Sequence, residues 1–150
     1  MVIGRLYLAD DDVARRVVDI QHASYRIEAD LIGFDGIPPL HDTVADVRQH
    51  DLRWLGAWDD GDLAGIIAWT DVDGVREIDR LAVHPQFHRR GHARALVEHA
   101  LDHPRVVVST GTANTPARTL YESLGFVLIG TFEIAPGVTT TGYERVVASG

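Results

Sequence analysis

Apolar residues along this chain switch between two periods, one near two residues and one near 3.6, and the switches divide it into elements. Residues 3–8 read as a strand. Asp10 to Asp12 offer N-caps, and Val13, Val17, Ile20 and Ser24 follow at near-helical spacing. The segment GFDGIPPL (33–40) breaks the pattern and reads as a loop, and DTVADVRQ (42–49) as a short helix. Two aromatic-rich runs, 52–58 and 63–70, flank Asp-Asp-Gly-Asp, which predicts a hairpin. A second turn, DVDG (71–74), leads to a third strand over 75–83, stopped by Pro85.

From Ala93 the apolar positions 93, 96, 97, 100 and 101 form one helix face, ended at His103-Pro104. RVVVST (105–110) has the β-branched run of a strand covered on both faces. Thr115 is the expected cap of a helix with Pro116 at its first position, Ala117, Leu120, Tyr121 and Leu124 on one face, and Gly125 at its end. Residues 126–134 and 139–147 read as a closing antiparallel pair. The order predicts one mixed α/β domain over 1–150, with 75–83 and 105–110 as parallel neighbours across a right-handed crossover.

Composition adds mainly exclusions. The chain has no cysteine, which rules out disulfides and thiolate chemistry and fits a reducing, cytoplasmic setting. The N-terminus turns acidic within ten residues, unlike a signal peptide, and no apolar run approaches the roughly 20 residues of a membrane span. The net charge of −8 argues against a general nucleic-acid binder.

The chemistry concentrates at two helix mouths. In His88-Arg89-Arg90-Gly91-His92-Ala93, free helix amides, a glycine that permits close approach and two guanidinium groups suit a phosphate or pyrophosphate. Read alone, the segment fits an anion site and a solvated basic turn equally. Five of the eight histidines fall between 84 and 103, three of them spaced by four, but Pro85 and Gly91 interrupt any helix there, so no metal face is expected. Trp54, Trp58 and Trp69 lie in the predicted hairpin and suit core packing better than an acceptor wall.

The second mouth reads NTPARTLYESLGF (114–126). Together the two segments resemble the GCN5-related N-acetyltransferase (GNAT) superfamily, with its Q/R-x-x-G-x-G/A loop and its Asn followed by a helix ending L-Y-x-x-L-G-F. The matching positions are His88 to Ala93, then Asn114, Ala117, Leu120, Tyr121, Leu124, Gly125 and Phe126. The element order matches along nearly the whole chain. His88 departs from the usual Gln or Arg, which alters one side-chain contact.

The resemblance implies a central mixed sheet of six to seven strands with helices on both faces, and acetyl-CoA as co-substrate without a metal. It implies that the amides from Arg89 to Arg94 cradle the pyrophosphate. Leu81, Ala82 and Val83 would lie along the pantetheine arm, with the N–H of Leu81 or a neighbour polarising the acetyl carbonyl. Asn114 would bond the arm from the other side, and Tyr121 would protonate the leaving thiolate. Strand alternation puts Val75, Glu77, Asp79, Leu81 and Val83 on one face, so Glu77, where several family members place the base, and then Asp79 are the base candidates. Ion pairs to Arg76, Arg80 or Arg118 are the alternative role for both.

The implied reaction is direct transfer to a primary amine of a small molecule or peptide in a ternary complex. A non-catalytic acyl-CoA sensor and a transferase of longer acyl groups are the alternatives. The family builds its acceptor site from the segments corresponding to Tyr25–Leu40 and Ile134–Thr141, which makes Tyr25, Glu28 and Phe34 candidates alongside Asp79. Glu28, Asp30, Asp35 and Asp42 make the first segment acidic, which suits either a cationic amine or a solvated loop. Homodimers are common in the family, and no residue here demonstrates one.

Overall fold

The computed structural model describes residues 1–147, and positions 148–150 of the expected domain lie outside the described residues. Seven strands form one sheet in the order β1-β2-β3-β4-β5-β7-β6. The elements in chain order are β1 (Val2–Arg5), α1 (Asp11–Ile32), α2 (Pro38–His41), α3 (Val44–Gln49), β2 (Arg53–Asp59), β3 (Asp62–Val72) and β4 (Val75–Val83), then α4 (His92–His99), β5 (Arg105–Gly111), α5 (Thr115–Ser123), β6 (Val127–Ala135) and β7 (Val138–Val146). All strand pairs are antiparallel except β4 with β5. Among the described residues no helix is long and apolar enough to cross a membrane.

Local chemistry accounts for most element boundaries. The Asp10 carboxylate accepts from the amides of Asp12 and Val13 and starts α1, and Gly33 ends it in the left-handed conformation. Thr43 and Asp46 form a reciprocal capping box on α3. The 33–40 loop contains a short helix at its end, because Pro38 and Pro39 occupy the first turn, where no amide partner is needed. Asn114, not Thr115, caps α5: its side chain accepts from the amide of Ala117, and Thr115 is already helical. α4 stops at His99, short of the expected His103-Pro104 boundary.

Two apolar layers sandwich the sheet. One joins α1 and α3 to Trp54, Ile66, Ala68 and Ala82. The other joins α4 and α5 to Ile67, Trp69, Ile78, Val106 and Tyr143. Alternate residues of β3 feed the two layers, which is why that strand is buried on both sides. Each fully buried Val, Ile or Leu, such as Val17, Ile20 or Leu96, contributes about 1.5–3 kcal/mol. The edge strand β6 leaves Val127, Leu128, Ile129, Phe132 and Ile134 exposed.

Two irregularities shape the middle of the sheet. The β3–β4 register passes from Ala68↔Arg80 to Trp69↔Ile78, so Asp79 is the extra residue of a bulge. The bulge changes which face β4 presents. Arg76 and Ile78 face the α4 layer, with Arg76 bonded to the Ala100 carbonyl, whereas Arg80 and Ala82 face α1. The expected single face of Val75, Glu77, Asp79, Leu81 and Val83 is therefore broken: Leu81 packs on the α4–α5 layer and Glu77 lies on the other side. The second irregularity is a split. β4 and β5 pair only over Arg76↔Val106, Glu77↔Val107 and Ile78↔Val108, then part.

Candidate active site

A groove follows this split. At one end α4 begins at Gly91, whose φ of 80° suits glycine, with Arg89 also left-handed at 64°. Gly91 offers no side-chain cap, and the first bond within α4 runs from the Ala95 amide to the Gly91 carbonyl. The amides of His92, Ala93 and Arg94 thus lack helical acceptors. A Cβ placed on Gly91 would meet nothing within 4 Å, so the space above the loop is open. A pocket of about 290 Å³ lies here, lined by His88, Arg89, Gly91, His92, Ala93 and Arg94 with Val83, Phe87, Pro116 and Leu120.

The loop is fixed from behind. His92 is buried and bonds Asp59 at 2.9 Å, and Arg90 reaches the same carboxylate at 3.2 Å and lies over Phe87. The hydrogen bond from His92, then that from Arg90, holds the Asp59 carboxyl below its ordinary pKa. The Arg90 side chain thus braces the loop and lies off the groove lining. The His88 ring donates to the Val83 carbonyl at 3.2 Å and ties the loop to the end of β4. Arg94 donates to the Ser123 hydroxyl at 2.7 Å.

The middle of the groove, about 480 Å³, is walled by Leu81, Ala82 and Val83 on one bank and by Asn114, Ala117 and Leu120 on the other. The side-chain carbonyl of Asn114 caps α5, which leaves its NH₂ group to donate elsewhere. From α1, Tyr25 and Glu28 form the floor shared with the inner chamber. The Leu81 amide, expected to face an acyl carbonyl, donates to the Tyr25 hydroxyl at 3.0 Å. Glu28 accepts from the Thr110 hydroxyl at 2.9 Å and the Gly111 amide at 3.1 Å, pinning α1 to the end of β5. Gly111 has no Cβ because Ile32 of α1 packs against it.

The inner chamber, about 330 Å³, adds Phe34, Pro38, Ile78, Asp79, Arg80 and Tyr121. Tyr121 is 3 % exposed, packed edge-on against Phe126, and its hydroxyl makes no hydrogen bond among the described residues. Burial foremost, then the nearby Tyr25 and Glu28, pushes its pKa up, so the phenol keeps its proton. Its helix is held in place by Arg118, which bonds the Tyr143 hydroxyl and the Thr112 carbonyl, while Tyr143 donates to Glu122 at 2.6 Å.

The two expected base candidates part here. Asp79 lines the chamber and pairs with Arg80. Glu77 is exposed, makes no side-chain hydrogen bond among the described residues and lines none of the groove, because the bulge separates it from Leu81. Of the four acidic residues expected near the acceptor, only Glu28 reaches the groove. Asp42 is buried against Gln21 and Arg80, Asp30 pairs with Arg26, and Asp35 stays at the surface. Arg80 was expected only as an ion-pair partner, a role it fills with Asp79, while Thr110 and Gly111 were not singled out from sequence; Gly111 ending a β-branched run was the one available signal.

The histidine series is likewise spent locally: His84 accepts from the Gln86 amide, and His99 donates to the Ala95 carbonyl. No tryptophan lines the groove; Trp54 and Trp69 belong to opposite core layers and Trp58 packs against the layer that holds Trp54.

Comparison with known proteins agrees with this geometry. The family described as "Acetyltransferase (GNAT) family" matches residues 15–126. UPF0157 protein YqkA of Bacillus subtilis is 36% identical over 130 residues, 84% of this chain and 38% of that protein. Human N-acetylaspartate synthetase is 32% identical over 123 residues, 71% of this chain and 40% of that protein. The chain thus spans about two fifths of the length of these curated relatives. The ribosomal-protein-S18-alanine N-acetyltransferase of Escherichia coli superimposes with a TM-score of 0.76 at 18% identity, covering 99% of this chain and 95% of that one. PaiA N-acetyltransferase of Thermoplasma acidophilum, solved in complex with coenzyme A, gives 0.70 at 15% identity, covering 96% and 98%. With a glycine-opened helix mouth, a split sheet and a tyrosine hydroxyl aligned along one groove, and with the family's signature spanning most of its length, this chain is a member of the GNAT acetyltransferase family.

Proposed function

We propose that this protein transfers the acetyl group of acetyl-CoA to a primary amine of a small molecule or peptide, by direct attack in a ternary complex. One observation carries the reading: three adjoining pockets with shared lining residues run along the β4–β5 split from the uncapped amides of the first turn of α4 to Tyr121, whose hydroxyl has no partner among the described residues. The donors at the loop suit a pyrophosphate. The parted edges of β4 and β5 leave backbone groups for an extended amide-bearing arm, and the Asn114 NH₂ faces it from α5. The amine enters beside Phe34 and Pro38.

Each step falls to a residue of this chain. Asp79, the β4 carboxylate that lines the chamber, takes the amine proton. The amine nitrogen then bonds to the carbonyl carbon. Tyr121 donates its proton toward the sulfur as the carbon–sulfur bond breaks. With no cysteine, an acyl-cysteine route is absent. The chamber presents Glu28 and Asp79 against a single arginine already paired twice, which favours a cationic amine.

The test is acetyl-CoA-dependent thiol release across a panel of polyamines, aminoglycosides, amino acids and lysine- or α-amine-presenting peptides. Tyr121→Phe is expected to lower kcat by about 10²-fold and to leave acetyl-CoA binding unchanged. Tight acetyl-CoA binding with no release across the panel would favour a sensor and overturn the reading.

A further inference from the structure

The reaction also needs a donor for the carbonyl oxygen, on which negative charge develops as the amine adds. The residue expected to supply it, the Leu81 amide, is already bonded to the Tyr25 hydroxyl. Either the tyrosine is displaced by the acyl group, or it stands between the amide and that group. Three observations decide between these.

Tyr25 cannot move away cheaply. It is 8 % exposed and packed in the α1 core layer. One helical turn later, Glu28 fastens the same helix to Thr110 and Gly111 on the far bank of the split. Second, the hydroxyl has unused capacity. It accepts from Leu81, but its own proton has no acceptor among the described residues. Third, it sits at the junction. Tyr25 lines both the middle groove and the inner chamber, between the stretch suited to the pantetheine arm and the chamber holding Asp79 and Tyr121. Tyr121 lines the inner chamber that begins at this junction.

We propose that Tyr25 is a catalytic residue of the oxyanion site, relaying the Leu81 N–H to the acetyl carbonyl through its own O–H. This rests on the transfer reaction proposed above. The Leu81 amide polarises the hydroxyl by bonding its oxygen, which makes the O–H a stronger donor. Burial raises the pKa of the phenol, so it stays protonated and able to donate. As the amine nitrogen bonds to the carbonyl carbon, the C=O electron pair moves onto the oxygen and is held by the Tyr25 O–H. When that pair returns, the carbon–sulfur bond breaks, the sulfur leaves with its electrons and takes a proton from Tyr121, and the proton that Asp79 took from the amine passes back to the Tyr121 phenolate across the chamber both residues line, restoring both groups. Tyr25 forms and breaks no covalent bond, and the balance is amine plus acetyl-CoA giving amide plus free thiol.

Tyr25→Phe keeps the ring and removes only the hydroxyl. Folding of the variant is verified by circular dichroism, and acetyl-CoA affinity by calorimetry. With an accepted amine, kcat is expected to fall about 10²-fold while the KM for acetyl-CoA stays within about twofold. The infrared carbonyl band of bound ¹³C-acetyl-CoA, measured without amine, is expected at lower frequency in wild type than in the variant, a shift that a packing role would not produce. An unchanged or raised kcat, or identical carbonyl bands, overturns the relay and leaves Tyr25 as a plug over Leu81. A wild type that binds acetyl-CoA but acetylates no amine overturns the parent reading and the relay together, so the two failures are distinguishable.

Discussion

Gly91 is where charge and backbone geometry can be separated. Its φ is 80°, and a Cβ there would contact nothing within 4 Å. Alanine would therefore suffer no clash but would cost about 1 kcal/mol for the left-handed backbone, roughly 2–4 °C of Tm in a domain of this size. Asn and Asp tolerate that conformation better and match each other in volume. Gly91→Asn and Gly91→Asp thus share their strain and bulk and differ by one negative charge. With a pyrophosphate charge about 6 Å away and an effective dielectric near 20, that charge costs about 3 kcal/mol, or two decades in Kd. Calorimetric titration with acetyl-CoA is expected to show Asp binding about 100-fold more weakly than Asn, with the gap narrowing at about 1 M salt, where screening reaches only about 3 Å. Equal affinities for the two variants would place the pyrophosphate elsewhere and refute the assignment of this helix mouth.

Two further outcomes follow from the site. Asp79→Asn is expected to lower kcat by about 10²-fold, whereas Glu77→Gln changes it little, because of the two only Asp79 lines the chamber; the reverse pattern in steady-state kinetics would return the base to Glu77. Asp59, held below its ordinary pKa by His92 and Arg90, contributes stability that is present above the unfolded value of about 4 and lost as pH falls through the lower folded value. Urea unfolding of wild type and Asp59→Asn is expected to show a gap near neutral pH that closes below about pH 4, and a gap unchanged in strong acid would contradict the pairing.

The sequence made the elements legible wherever side-chain period and cap chemistry agree. The strand read over 75–83 is observed as β4 over the same residues, and the two helix mouths lie where the motif spacing put them. What was hidden depends on long-range pairing. The extra residue at Asp79 is dictated by register against β3, and no local pattern marks it, so strand parity wrongly put Glu77 with Leu81. The insertion of β7 between β5 and β6 is invisible in a hairpin signal, which says that two strands pair but not what lies beyond. The pairing of the Arg90 guanidinium with Asp59, 31 positions earlier, has no local signal. Tyr25 and Glu28 read as acceptor candidates, while the hydrogen bonds that bring them to the two banks of the split span 56 and 82 positions.

Only three residue pairs join β4 to β5, so the sheet behaves as two leaves with a short seam. An extended ligand lying between the open edges would act as a temporary eighth strand. Amides near the free end of the seam would then exchange with deuterium quickly in the empty protein and slowly in the loaded one. Resistance to heat and proteolysis would rise with ligand concentration as RT ln(1 + [L]/Kd), about 2.7 kcal/mol at a hundredfold excess over Kd. The durability of this protein would track the supply of its own acyl donor.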